Sequence, residues 1–128
     1  MSFVFGEKPT VSIDFDGTLV ENDYPFIGKW KNDALTLLKE LKLAGWNILI
    51  NTCRTGKYED DVRNFLKRYC IEIDGINKNL SGYEKFGYKD SRKLGCDYII
   101  DDKCVFYKDN LMLILKKLLS IYDQRRDI

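Results

Sequence analysis

The chain has 128 residues, 45% of them hydrophobic and 32% charged, with a formal net charge of +1. That length fits one domain over residues 1–128 with one core. The near-balance of charge argues against a dedicated nucleic-acid-binding or membrane-surface protein and leaves only a local basic patch open. There is no histidine, which removes Ser-His-Asp and Cys-His catalysis and every histidine-ligated metal. No apolar run approaches the roughly 18 residues that span a bilayer. The opening MSFVFGEKPT lacks the basic and apolar regions of a secretory signal. Cys53, Cys70, Cys96 and Cys104 form no C-x-x-C pair and no zinc spacing. They are expected as reduced thiols of a cytoplasmic protein.

Thr10 to Phe15 is predicted as a short buried strand, β-branched and apolar, and it runs into Asp14-x-Asp16-Gly17-Thr18. The aromatics Tyr24, Phe26 and Trp30 follow, either as a flap at an entrance or as core staples. Ala34, Leu35, Leu37, Leu38, Leu41 and Ala44 keep helical spacing, with Asn32 or Asp33 as candidate cap and Gly45 at the C-terminal end. Trp46 to Asn51 is a second strand, ending at Thr52-x-Arg54.

Tyr58, Val62, Phe65, Leu66 and Tyr69 predict a second helix. Acidic residues in its first turn and basic ones in its last match the helix dipole. A weaker strand is expected within Ile71 to Ile76, then a polar surface loop from Asn77 to Asp90. Asp97 to Ile100 is a further strand, ending at Asp101-Asp102, and Leu111 to Tyr122 is a last helix with Asp109 as candidate cap. This alternation predicts an α/β fold with a mostly parallel central sheet. In such sheets ligands bind beyond the carboxyl ends of the strands, which is where the three polar groups fall.

Asp-Gly is also a common turn dipeptide, so the combination carries the weight. Carboxylates gathered there repel: two unit charges about 4 Å apart cost about 4 kcal/mol at an effective dielectric of 20. Such a cluster calls for a cation or a proton, and with oxygen ligands and no histidine Mg²⁺ is the best candidate. A carboxylate beside Mg²⁺ is equipped to attack a phosphate and carry a covalent phosphoryl group.

DFDGT at Asp14 to Thr18, Thr52 at the end of ILINT, Lys93, and Asp101-Asp102 after YII resemble, in order, the four motifs of the haloacid dehalogenase superfamily. NTCRTGK and KLGCDYIIDD further resemble a small bacterial and phage subgroup of phosphatase-like members. The resemblance implies a three-layer Rossmann-like fold and Mg²⁺-dependent hydrolysis of a phosphomonoester through an aspartyl-phosphate. Asp14 would be nucleophile and metal ligand. Asp16 would be general acid/base, and a metal ligand through its backbone carbonyl. Thr52 and neighbouring N–H groups would hold the phosphoryl oxygens, Lys93 would offset charge, and Asp101 and Asp102 would complete the metal site.

Gly17, Thr18, Cys53 and Arg54 complete the candidate substrate-binding set, Gly17 by permitting the tight turn. Cys53 is otherwise a small packing residue: a cysteine phosphatase needs arginine six residues on, where Glu59 stands. Arg54 is either a phosphate contact or half of a surface salt bridge. Lys89 and Lys103 compete with Lys93. Neither usual cap-domain position, between Thr18 and the helix near Asn32 or between Thr52 and Lys93, has room for a cap. An open site suits a bulky phosphorylated macromolecule; covered by a partner subunit, as in a homo-oligomer, it suits a small phosphoester. The competing functions are a non-catalytic scaffold and a receiver-like phosphoacceptor. The latter places its phosphoacceptor on a later strand and has no use for a water-activating Asp16.

Overall fold

The computed structural model of the protein describes residues 3–4, 6–80, 82, 95–104 and 110–126. Strand β1 spans Thr10–Asp14 and is followed by α1 (Ala34–Leu43), β2 (Asn47–Asn51), α2 (Lys57–Arg68), β3 (Gly75–Ile76), β4 (Tyr98–Ile100) and α3 (Leu111–Arg126). The strands form one sheet in the order β3-β2-β1-β4, with every pairing parallel. This is the expected α/β architecture: a four-stranded parallel sheet flanked by three helices. No extra domain occurs among the described residues. Four of the five β1 residues are buried, because a parallel sheet is covered on both faces. The strand order reverses at β1, so the carboxyl ends of β2, β1 and β4 open into the crevice where such folds bind ligands.

Val11, Ile13, Ile48 and Ile50 of the sheet join Leu37, Leu38 and Leu41 of α1 and Leu111, Leu115 and Leu118 of α3 in one core cluster. Helix α1 ends as its glycine predicts. Gly45, at φ 91°, donates its N–H to Lys42 O, and Trp46 donates to Leu41 O, which satisfies two terminal carbonyls. Its start differs from expectation: Asp33 occupies the cap position in a left-handed conformation and makes no side-chain cap hydrogen bond. Helix α2 carries Glu59 and Asp60 in its first turn and Lys67 and Arg68 in its last, as expected. Asp109 lies outside the described residues. Asn110 caps α3, its Oδ1 accepting the Leu113 N–H at 3.1 Å.

The predicted strand over Ile71 to Ile76 shrinks to two residues. Cys70 takes φ 59° and Ile71 donates back to Leu66 O, so this stretch first closes α2. Of the predicted 77–90 surface loop, residues 77–80 and 82 are described. Asn79 within it is buried and accepts the Gly95 N–H at 2.6 Å. Among the described residues, no helix is long and apolar enough to cross a membrane.

Two aspartates pin the amino ends of the strands. Asp97 accepts the N–H groups of Val4 (2.9 Å) and Thr10 (2.8 Å). Asp74 accepts the Ile48 N–H at 2.7 Å and pairs with Lys42 at 3.0 Å. Asp97→Ala leaves the buried Thr10 N–H without its carboxylate partner. It is expected to destabilise the fold by about 1–3 kcal/mol, read as a lower urea midpoint at unchanged m-value.

Candidate functional site

Asp14 stands at the last position of β1, where the chain stops pairing and turns. Gly17 makes the turn at φ +89°, and a Cβ there would meet Asp102 Oδ2 at 2.7 Å. Only glycine tolerates both conditions. Thr18 is fully buried. Its hydroxyl lies 3.0 Å from Asp14 Oδ2 and 3.1 Å from Asp102 Oδ1, and it accepts the Asp102 N–H at 2.8 Å. One hydroxyl proton serves one carboxylate at a time, so Thr18 ties the ends of β1 and β4 together from below. The Gly17 N–H is taken by Val20 O, and the Thr18 side chain is buried beneath the carboxylates.

Asp14, Asp101 and Asp102 each bring a carboxylate oxygen within 4.8 Å of the others. Burial, followed by repulsion from Asp101, pushes the Asp14 carboxyl up to about 6 against the opposing Thr18 hydrogen bond. Three oxygen donors without nitrogen or sulfur fit a hard divalent cation, and such an ion would relieve the repulsion. Asp16 lies outside this triad. Both its oxygens are held by Arg54, through Nε at 2.7 Å and Nη2 at 2.8 Å.

Arg54 is 2% exposed, and the salt bridge it makes is with Asp16 at the cavity wall, its own side chain being buried rather than on the surface. Its other guanidinium bonds go to Pro25 O (3.0 Å) and Phe26 O (2.8 Å). Four of its five N–H groups are thus engaged by protein oxygens. The aromatics divide. Tyr24 and Phe26 are exposed on the loop after β1, whereas Trp30 packs on Phe65 at 4.9 Å and Tyr69 at 5.3 Å.

Asp14, Asp16, Thr52, Cys53, Asp101 and Asp102 line one cavity of about 540 Å³, with Tyr24 and Arg54 also on its wall. Cys53 is exposed there, so it is wall rather than packing. The loop after β2 is braced internally. Thr52 N–H donates to Asn77 Oδ1 at 2.8 Å, and Arg54 N–H donates to Thr52 Oγ1 at 3.1 Å. Two N–H groups assigned to phosphate are thus engaged within the loop, while the Thr52 hydroxyl proton stays available. Asn77 also reaches Glu59 at 3.2 Å. Sequence reasoning passed over it as loop, and nothing in its local pattern marks it. Helix α2 begins at Lys57, beyond the residues lining the cavity. Lys93 and Lys89 lie outside the described residues, whereas Lys103 lines the cavity.

The chain matches no sequence-family profile and no curated protein. It matches a solved structure, that of a conserved protein coded by a locus from Bacteroides thetaiotaomicron, at 30% identity and a TM-score of 0.78 over 89% of this chain and 92% of that one.

Two outcomes follow from the triad. Because the folded-state value of Asp14 lies above its ordinary 3.8, its contribution to stability is full below about pH 4 and is lost as pH rises through about 6. In metal-free buffer the thermal midpoint should fall between pH 4 and pH 7 more steeply in wild type than in Asp14→Asn. A divalent cation at tenfold excess over its dissociation constant should raise the wild-type midpoint at pH 7.5 by about 4 °C, and Asp101→Asn should reduce that gain. An unchanged midpoint on addition of Mg²⁺, Mn²⁺ and Ca²⁺ in turn would rule out the ion site.

Proposed function

The chain belongs to the family of that conserved Bacteroides thetaiotaomicron protein, and on this premise we propose that it is a Mg²⁺-dependent phosphomonoester hydrolase acting through an aspartyl-phosphate on Asp14. The observation that carries the reading is the convergence of Asp14, Asp101 and Asp102 within 4.8 Å, beside Asp16 and Thr52 in one cavity. The order of the four motifs, which resembles the haloacid dehalogenase superfamily, supports it. Phosphate monoesters are among the slowest compounds to hydrolyse unaided, so the chemistry needs a nucleophile, an acid/base and charge neutralisation in one place.

An Asp14 carboxylate oxygen attacks phosphorus. The bond from phosphorus to the ester oxygen breaks, and that oxygen takes a proton from Asp16 and departs as the alcohol. Asp16 then accepts a proton from a water whose oxygen attacks the phosphoryl group. The bond to Asp14 breaks, inorganic phosphate leaves, and both carboxyl groups return to their starting states. Asp16 enters the cycle as the neutral acid, and each of its oxygens keeps a lone pair beyond the one facing Arg54 on which to carry the proton, so the hydrogen bonds from Arg54 need not open. The Thr52 hydroxyl donates to a phosphoryl oxygen. Mg²⁺ held by Asp14, Asp101 and Asp102, with the Asp16 carbonyl, would neutralise phosphoryl charge so that Asp14 can approach. Lys93 adds positive charge in the role its motif implies. The substrate is a phosphorylated small molecule or macromolecule entering an uncapped site.

Wild type should release p-nitrophenol from p-nitrophenyl phosphate only with Mg²⁺, and Asp14→Asn should fall to background. Asp16→Asn should slow breakdown of the intermediate by about 10²–10⁴-fold, so that phospho-enzyme accumulates and is seen by mass spectrometry after quenching. A phospho-adduct on wild type that never turns over would instead identify a phosphoacceptor switch. Silence across a broad panel of phosphoesters would leave a scaffold.

A further inference from the structure

Arg54 does something that no motif assigns to it. Its side chain is 1% exposed, yet it lies at the wall of an open acidic cavity. It binds Asp16 in the parallel two-point geometry that a guanidinium makes with a carboxylate. The far side of the same fork holds two successive carbonyls, Pro25 and Phe26. Its Cζ also lies 5.1 Å from the centre of the Tyr24 ring, which Tyr58 supports at 5.5 Å.

Its hydrogen bonds to the Asp16 carboxylate keep the Arg54 guanidinium above its ordinary, already high value, so it stays charged. The loop it grips is closed at its base. Glu21 N–H donates to Lys29 O at 2.8 Å, and Val20 bridges Trp30. Gly28 passes so near Glu21 O that a Cβ there would collide with it. Only the tip of the loop, residues 23–27, is left for a side chain to hold, and Arg54 reaches it.

We infer that Arg54 is a positioning residue: it locks the Asp16 carboxylate and the 24–26 loop into one unit, setting the proton-transfer group and the Tyr24 wall of the cavity together. The inference deepens the hydrolase reading and rests on it for its kinetic part. Lysine cannot replace the fork, because its single ammonium cannot satisfy two carboxylate oxygens and two carbonyls in fixed planar geometry.

The test compares wild type, Arg54→Lys, Arg54→Ala and Asp16→Asn on p-nitrophenyl phosphate with Mg²⁺, with thermal midpoints recorded for each. Arg54→Lys should lose about 100-fold in kcat with KM little changed. Quenched samples should show phospho-enzyme accumulating as in Asp16→Asn, because breakdown of the intermediate needs Asp16 in place. Guanidinium at millimolar concentration should restore part of the activity of Arg54→Ala. A near-wild-type kcat in Arg54→Lys would overturn the inference. So would a loss of activity that follows the thermal midpoint, without phospho-enzyme and without rescue. Amide hydrogen exchange separates this idea from the hydrolase reading. If wild type hydrolyses nothing, that reading falls, and faster exchange across residues 23–28 in Arg54→Lys, with β1 unchanged, still upholds the clamp. Equal exchange in the two proteins overturns it.

Discussion

Mutual repulsion among Asp14, Asp101 and Asp102, held within 4.8 Å of one another, is the constraint around which this end of the molecule is organised. Charges that close separate unless the backbone forbids it. Here the backbone does so by several routes. β1 and β4 are hydrogen-bonded neighbours from Val11 opposite Tyr98 to Ile13 opposite Ile100, which fixes where both strands end. Thr18 joins the two ends through one buried hydroxyl, and Gly17 lets Asp102 approach to a distance that any side chain would obstruct. A cluster so over-determined in geometry and under-compensated in charge is suited to a cation. It also holds one carboxyl, that of Asp14, near 6 while no cation is bound.

The same residue type does opposite work at the two ends of the sheet. At the amino ends, Asp74 and Asp97 turn their oxygens onto backbone N–H groups and, for Asp74, onto Lys42. Hydrogen bonds to the ionised form satisfy them locally, and they serve strand register. At the carboxyl ends the aspartates face one another and a cavity of about 540 Å³. The distinction is one of backbone direction. In a parallel sheet one edge presents strand starts, whose N–H groups welcome a carboxylate, and the other presents strand ends, whose carbonyls do not.

The loop between β1 and α1 is too short to fold alone. Its aromatics differ in fate according to what lies beneath them. Trp30 meets Phe65 and Tyr69 of the α2 region and packs. Tyr24 and Phe26 project from the tip and stay exposed. The tip is kept in place from within by Arg54 and the base by backbone bonds, so this part of the cavity wall is a braced strap.

Local pattern sufficed for much of this. The alternation of strand and helix, the parallel sheet, the Gly45 helix end and the arrival of Asp14, Thr52 and Asp101 at strand ends were all legible, because 2.0- and 3.6-residue periods are properties of neighbouring residues. The short β3 was misjudged at its start, because Ile71 looks strand-like on its own and is claimed by the end of α2. The tertiary structure alone decided which carboxylates face one another. It joined Arg54 to Asp16, 38 residues away, and Asn77 to Thr52, 25 residues away. It also placed Thr18 beneath the site and Cys53 on its wall. Such pairings depend on the path of the whole backbone. A side chain's partner is set by what the fold brings within about 3 Å, and no local period encodes that.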